Sequence, residues 1–285
     1  MKKEIYGRPG KIKKIIIIIV KRIPLVIYTG SVAFPLYFLV FNSFKTRTNY
    51  MVNKLKLPFP FTIENFIGVF TKEHFARWLL NSLFITIVAM TIGSIIALLL
   101  SYGFSNFQFK QKKASFSFVA SLMILPPIVI IVPLYRLYFE LKLLNTYLGT
   151  ILIYIAYVIP FWTYFLTKFF ASIPKSIKES AKIDGGSDII ILFRLILPLS
   201  KAPIVTLTVA SSLFIWNDLL IPLIFMQEDN LRTLMVGLTV FRGRLTMNFP
   251  AIFAGMVIST IPMAILFIYG QKYFLKGLLS GAIKG

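Results

Sequence analysis

Asp218 is the one acidic residue inside a long apolar window of this 285-residue sequence, and it ends the triplet Trp216-Asn217-Asp218. A carboxylate among apolar residues is costly unless it faces a cavity or a partner. An indole beside an amide and a carboxylate suits a sugar, whose C–H face stacks while its hydroxyls hydrogen-bond. The same triplet could instead be a structural cluster that pairs helices or reaches an interface. Asn81, at the mouth of another apolar run, is the next polar candidate. Little else could do chemistry. Cysteine is absent, which excludes a thiol nucleophile, a disulfide framework and an iron–sulfur cluster. The single histidine, His74, follows Glu73 in a polar stretch and reads as a solvated loop residue, so no His-rich metal site exists.

The elements that must position these residues are apolar. Hydrophobic residues make up 57% of the chain and charged residues 14%, with mean hydropathy +0.80. A soluble chain is about 45–50% apolar and about 25% charged. A bilayer span needs about 20 apolar residues. Five windows of that length carry no charge, and the window 202–227 carries only Asp218. They predict an all-α integral membrane protein with six transmembrane helices, at 23–44, 79–103, 115–135, 147–168, 203–226 and 250–270. The short run Ile15–Val20 lies between Lys13-Lys14 and Lys21-Arg22. It is too short to span, and shorter than a signal peptide's apolar region, with no small-residue cleavage site after it. It reads as an interfacial extension of the first helix.

The formal net charge is +21. In a soluble protein that would point to nucleic acid. Here the basic residues flank the apolar runs and form no domain of their own, so nucleic acid is not a partner and membrane lipid is. With both termini inside, the inner segments hold 20 of the 31 Lys and Arg residues and the outer loops hold 11. The positive-inside rule therefore predicts an N-in, C-in topology. Several spans carry proline: Pro126, Pro127 and Pro133 in the third, Pro160 in the fourth, Pro222 in the fifth and Pro262 in the sixth. Each removes a backbone donor and tends to kink its helix.

The longest inner loop, 168–201, has an internal plan. Pro174 suits a first turn. Ile173, Ile177 and Ala181 form one apolar stripe among Lys175, Lys178, Glu179 and Lys182. Gly185-Gly186 can end that helix through positive φ. Ser187 then reads as the cap of a second helix, with Asp188 in its first turn and Pro198 breaking it after Leu197. A helix–turn–helix outside the bilayer can present itself to a groove on a partner, or lie on headgroups.

In that loop, Glu179-Ser180-Ala181-x-x-Asp184-Gly185-Gly186 followed by Leu195-x-Leu197-Pro198 resembles the EAA loop of ABC importer permeases. Glu179, Ala181, Gly185, Leu197 and Pro198 fall at the family's spacing. Ser180 stands for the first alanine, Gly186 for the alanine after the glycine, and Leu195 for isoleucine. Trp78-Leu-Leu-Asn81-Ser82, Pro126-Pro127, Leu144-Asn145-Thr146-Tyr147, Trp216-Asn217-Asp218 and the tail Gly277-x-x-x-Gly281-Ala282-Ile283-Lys284-Gly285 are similar to the maltose-type carbohydrate permeases, in particular the second, six-span subunit of the heterodimer. Residues 1–22 and 45–75 match least.

The resemblance implies a bacterial cell-membrane permease subunit that forms half of a pathway for a carbohydrate. Its partners would be a second homologous permease subunit, two cytoplasmic ABC ATPase subunits and an extracytoplasmic substrate-binding protein. The coupling loop would sit in a cleft of the ATPase through Glu179, Ala181, Asp184, Gly185, Gly186, Leu197 and Pro198. Asn81, Trp216, Asn217 and Asp218 would be the translocation-path candidates. No G-x-x-x-x-G-K-[ST] occurs, so this chain binds no cofactor and ATP and Mg belong to the partner ATPase. The expected parts are 1–77 (N-terminus, first span, outer loop), 78–271 (five-helix core with the 168–201 loop) and 272–285 (inner tail). The same machine could carry another cargo, such as a sugar acid, a phosphorylated polyol or a peptide. A membrane enzyme would need a catalytic constellation, and none is visible. A secondary transporter would show internal repeats and several buried ionisable groups.

Overall fold

The computed structural model describes the backbone of residues 11–72, 74–244 and 248–282, and side chains within 22–71, 74–239 and 248–273. The expectations that fall on residues 1–10, Glu73 and Ile283-Lys284-Gly285 lie outside the described residues. So does the side-chain part of the Gly277–Gly281 pattern.

The described residues are helical, with no strand among them. In chain order the helices are α1 Lys11–Ser43, α2 Arg47–Val52, α3 Glu64–Lys72, α4 Phe75–Asn106, α5 Lys112–Ser121, α6 Pro127–Glu140, α7 Tyr147–Ser172, α8 Lys175–Ile183, α9 Asp188–Leu199, α10 Lys201–Asn217, α11 Leu220–Phe225, α12 Leu234–Arg244 and α13 Phe249–Ala282. Four stretches are long and apolar enough to cross a bilayer singly: Arg22–Ser43, Phe75–Asn106, Tyr147–Ser172 and Phe249–Tyr273. Two bent pairs, α5 with α6 and α9 with α10, raise the number to as many as six, each pair giving at most one span. The Ile15–Val20 run continues into the first span as one helix, as expected.

The third span departs from the expected straight 115–135 helix. It is α5, a short 3₁₀ turn Leu122–Ile124, and then α6, bent by 99°. Pro126 is the extended N-cap and Pro127 opens α6. Two successive rings remove two donors from the hydrogen-bond ladder and disfavour helical geometry at two adjacent residues, Leu125 and Pro126. Pro133, Pro160 and Pro262 sit inside unbroken helices. The expected 203–226 helix is also two pieces, α10 and α11, parted at Asp218-Leu219. Pro222 explains the gap, because it has no N–H to offer the Asp218 carbonyl four residues back. With 17 residues α10 is about 26 Å long, short of a ~30 Å hydrocarbon core.

The chain divides into two compact units. One runs to Val69 and takes in the start of α13 up to Val257. In it, Lys45 is fully buried and its Nζ caps the end of α2, donating to the carbonyls of Asn53 (3.0 Å) and Lys54 (3.1 Å). Asn65 Nδ2 donates to the Ser43 and Lys45 carbonyls, both at 2.8 Å, so the outer segment after the first span is a tied structure.

The other unit runs from Phe70 to Arg244 and takes in α13 from Ile258. Its centre is α4 against α7. On α4, Trp78, Ile85, Ala89 and Ala97 are buried while Leu80, Ile87, Ile95 and Leu99 form an exposed apolar stripe on another face. On α7, Tyr154, Trp162, Leu166 and Phe170 are buried. Lipid is as apolar as these side chains, so close packing rather than water exclusion holds the pair.

Candidate functional site: the inner hairpin and the outer clamp

The 168–201 loop folds as a helical hairpin, and its turn is defined by hydrogen bonds. Gly186 N donates to the Ala181 carbonyl (2.9 Å) and Gly185 N to that of Lys182 (3.0 Å). This pair of bonds is the Schellman ending of a helix. Gly185 sits at φ +79°. Gly186 is needed for a different reason from the one expected: a Cβ there would lie 2.6 Å from the Ala181 carbonyl oxygen. Asp184 is the C-cap of α8. Pro174 precedes the helix as its N-cap rather than opening its first turn. Ser187 caps α9, its Oγ accepting from Ile190 N.

Pro198 does not end the second helix. The chain forms a π turn over Leu192–Ile196 and stays helical to Leu199. A π turn widens the spiral where the ring would meet the carbonyl of Arg194. The break falls at Ser200, whose amide and hydroxyl both bond the Ile196 carbonyl. The chain then turns by 78° into α10.

Two long-range contacts fix the hairpin to the spans. The Tyr102 hydroxyl, near the end of α4, donates to Asp188 Oδ1 at 3.0 Å. Lys182 Nζ lies 3.3 Å from the same oxygen. Lys178 Nζ donates to Asn106 Oδ1 (2.7 Å), at the last residue of α4, and to the Phe170 carbonyl (2.9 Å) in the last turn of α7. Burial, with the Lys175 charge nearby, holds the Lys178 ammonium below the ordinary lysine range. The opposite side of the hairpin is open. Glu179 and Asp184 are exposed, as are Ile183, Ile189 and Phe193. Ala181 and Leu197 are half-buried and Pro198 is exposed.

The Asp218 region has a separate geometry. Asp218 Oδ2 accepts from the buried Tyr154 hydroxyl at 2.9 Å, and Oδ1 accepts from Leu220 N at 2.9 Å. The carboxylate thus bridges the two halves of the fifth span to α7. Asn217 is exposed and its amide donates to the Leu213 carbonyl. Trp216 is buried, and its Nε1 donates to the Ser259 carbonyl of α13 at 3.1 Å. The indole faces into the helix packing rather than lying open beside Asn217.

Asn81 is buried and fully engaged. Its Nδ2 donates to the carbonyls of Asn230 and Arg232, both at 2.9 Å, and its Oδ1 accepts from the Tyr147 hydroxyl at 2.8 Å. Trp78 Nε1 donates to the Asp229 carbonyl (3.0 Å), and Ser82 Oγ accepts from Leu234 N (2.8 Å). The Trp78–Ser82 pattern therefore grips the outer turn 229–234. Asn145, at φ +53°, grips the preceding stretch: its backbone N–H donates to the Phe225 carbonyl and its side-chain Oδ1 accepts from Gln227 N at 2.7 Å. Thr146 caps α7 by accepting from Gly149 N. Gly237 lies so close to Trp78 that a Cβ would run into the indole. Two sequence patterns about 65 residues apart converge on one outer loop.

Sequence reasoning did not identify Tyr102, Asn106 or Tyr154, and gave Lys178 only a place on the polar face. No local pattern marks them, because each acts through a partner distant in sequence.

Comparison with known proteins is consistent with this architecture. Residues 67–279 match the family model described as "binding-protein-dependent transport system inner membrane component". An arabinooligosaccharide transport system permease protein of Halalkalibacterium halodurans is 32% identical over 88% of this chain and 91% of its own. A melibiose/raffinose/stachyose import permease protein of Bacillus subtilis is 32% identical, with the same coverage of both chains. A trehalose/maltose transport system permease protein of Thermococcus litoralis is 31% identical over 94% of this chain and 98% of its own. Among solved structures, a chain of a bacterial alginate ABC transporter, in complex with alginate pentasaccharide-bound periplasmic protein, superposes with TM-score 0.67 at 16% identity, covering 91% of this chain and 94% of that one. With its bent spans, tied hairpin and matching core, the chain belongs to the binding-protein-dependent transport system inner membrane components, the permease subunits of ABC importers.

Proposed function

We propose that this permease forms half of the pathway for an oligosaccharide or sugar derivative, beside a second homologous permease subunit. Two cytoplasmic ABC ATPases would hold ATP and Mg, and an extracytoplasmic binding protein would deliver the cargo. The carbohydrate assignment is supported by the relatives, which are named for arabinooligosaccharide, melibiose/raffinose/stachyose and trehalose/maltose transport. Another relative is named for sulfoquinovosyl glycerol transport, which keeps an anionic sugar in range.

One observation carries the coupling reading: the hairpin is bonded to the ends of α4 and α7 on one side, while its other side is exposed. An ATPase that grips Glu179, Ile183, Ile189 and Phe193 would move α4 and α7 through Asp188 and Lys178. Ala181, Asp184, Gly185 and Gly186 shape the turn, and Leu197 and Pro198 lead to the bend before α10. ATP and the loaded binding protein then bias inward- and outward-facing states by binding one better than the other. On the transport route, Asn217 and Asp218 are the reachable polar groups. Asn81 and Trp216 act through the frame around them.

The test is uptake by the reconstituted complex with its binding protein and a panel of labelled oligosaccharides. Uptake that needs ATP, the binding protein and this subunit together supports the reading. Uptake that proceeds without ATP, or an intact complex that accepts no saccharide but takes a peptide, overturns it.

A further inference from the structure

The hairpin is bonded to α4 and α7, and it runs directly into α10 through the 78° turn after Ser200. The last span, α13, has no such direct route from the hairpin along the chain. Two side-chain contacts with α10 supply one. Lys201, the first residue of α10, places its Nζ 5.7 Å from the centre of the Tyr273 ring on α13. At that distance an ammonium group is attracted to an aromatic face. At the far end of α10, Trp216 Nε1 donates to the Ser259 carbonyl of α13 at 3.1 Å.

The two contacts fit as rungs between antiparallel helices. Lys201 meets the later residue of α13 and Trp216 the earlier one. The rungs lie 15 residues apart on α10 and 14 apart on α13. At ~1.5 Å per residue these lengths are about 22 Å and about 21 Å, so one helix matches the other. Pro262 falls between the rungs on α13. It offers no N–H to the Ile258 carbonyl, and a helix bends most readily at such a place. The Trp216 rung therefore holds α13 only as far as Pro262. The Tyr273 rung, beyond the proline, is what ties the rest of α13 to α10.

We propose that Lys201 and Tyr273 are positioning residues that form a joint: movement of the hairpin, delivered to the first residue of α10, passes through it to the part of α13 beyond Pro262. Lys272 Nζ also approaches the Tyr273 ring, at 5.4 Å, but it sits on α13 itself and links no second helix. The inference rests on the ATP-driven transport reading above. It does not depend on the cargo or on the orientation in the membrane.

The test uses the reconstituted complex with its binding protein. Uptake and ATP hydrolysis are measured together, with the labelled oligosaccharide or peptide that wild type carries fastest. Lys201→Gln and Tyr273→Leu should each lower uptake per ATP hydrolysed by about two- to five-fold, the factor that an exposed cation–π contact supplies, with the ATPase still co-purifying. The double variant should be no worse than either alone, because both remove the same contact. Lys201→Arg and Tyr273→Phe keep the cation and the ring and should stay near wild type. Lys272→Gln removes a charge from the same neighbourhood without touching the joint, and should also stay there. A merely structural role would lower the amount of assembled complex and leave uptake per ATP unchanged. Wild-type uptake per ATP in both Lys201→Gln and Tyr273→Leu, losses that multiply in the double variant, or an equal loss in Lys272→Gln or Tyr273→Phe would each overturn the joint while the transport reading stands. A wild-type complex with no ATP-dependent uptake would overturn the transport reading, and the joint with it.

Discussion

The Tyr102 hydroxyl donates to the Asp188 carboxylate across 3.0 Å, joining the last turns of α4 to the first turn of α9. Asp188 also faces Lys182 of α8, so one carboxylate ties a span to both arms of the hairpin. Charge-assisted bonds contribute about 1.5–3 kcal/mol. Tyr102→Phe keeps the ring and its edge contact with Phe107 and removes only the hydroxyl. Transport should fall roughly ten- to a hundred-fold, with the ATPase still co-purifying and its stimulation by the loaded binding protein reduced in step. Unchanged stimulation and transport would mean that this bond carries no coupling.

The hairpin turn is the second place where a small change should act on coupling alone. Gly185→Val forces a β-branched residue to positive φ, at a cost of about 1 kcal/mol or more. Gly186→Val drives a side chain into the Ala181 carbonyl. Glu179→Lys reverses an exposed charge and leaves the fold intact. All three proteins should insert in the membrane. The ATPase should detach more readily, or hydrolyse ATP without responding to the binding protein, and transport should drop at least about ten-fold. Co-purification, ATPase stimulation and uptake measured together separate this from misfolding. Wild-type values in all three would reduce the hairpin to a surface feature.

Local features of both regions could be read from the sequence. The positive φ of Gly185 and the Ser187 cap follow from residue type and order. So do the apolar windows, because a bilayer imposes a length on them. The 99° bend could not be read: two successive prolines disfavour a helix at 125–126 but do not set the angle at which it resumes. Pro198 misleads for the same reason. A proline predicts a break, yet the π turn before it absorbs the ring. Asn81 and Trp216 have the polar and aromatic character of a sugar site, and their hydrogen bonds to Asn230, Arg232 and Ser259 emerge only when segments far apart in sequence meet.

The bridge at Asp218 separates charge from hydrogen bonding. Asp218→Asn keeps an oxygen for Leu220 N and an amide opposite Tyr154, so assembly should survive and transport should fall by a few-fold. Asp218→Leu leaves the Tyr154 hydroxyl buried without an acceptor, at a cost of about 1–3 kcal/mol, and unties α11. That variant should lower the melting temperature of the complex and transport much less. Tyr154→Phe together with Asp218→Leu should recover part of the stability without the transport. Normal uptake by both single variants would remove Asp218 from the route.

The outer clamp should behave as a fold element. Gly237→Ala meets the Trp78 indole, and Asn81→Ala strips three hydrogen bonds from the 229–234 turn and from Tyr147. At about 0.5–1.5 kcal/mol per bond, Asn81→Ala should cost roughly 2–4 kcal/mol and lower the thermal midpoint of the complex. Arg77→Ala loses only a 3.4 Å exposed contact with Asn230 and should be silent. If Asn81→Ala abolishes transport at wild-type stability, the residue touches cargo or binding protein rather than serving the loop.

Orientation can be decided with single cysteines, since the chain has none of its own. Asn53 and Ser187 are poor sites. Asn53 Oδ1 accepts from the amides of Leu55 and Lys56, and Ser187 caps α9, so replacing either disturbs the segment being mapped. Glu140 and Gln108 are better. Glu140 is exposed at the end of α6, and its ion pair with Arg136 spans one solvated helix turn, which contributes little. Gln108 is exposed in the turn after α4. The excess of Lys and Arg on one set of loops puts Gln108 inside and Glu140 outside. In intact cells an impermeant maleimide should therefore label Glu140→Cys and spare Gln108→Cys, and both should react once the membrane is opened. Labelling of Gln108→Cys alone in intact cells would invert the orientation. It would also move the hairpin away from any cytoplasmic ATPase.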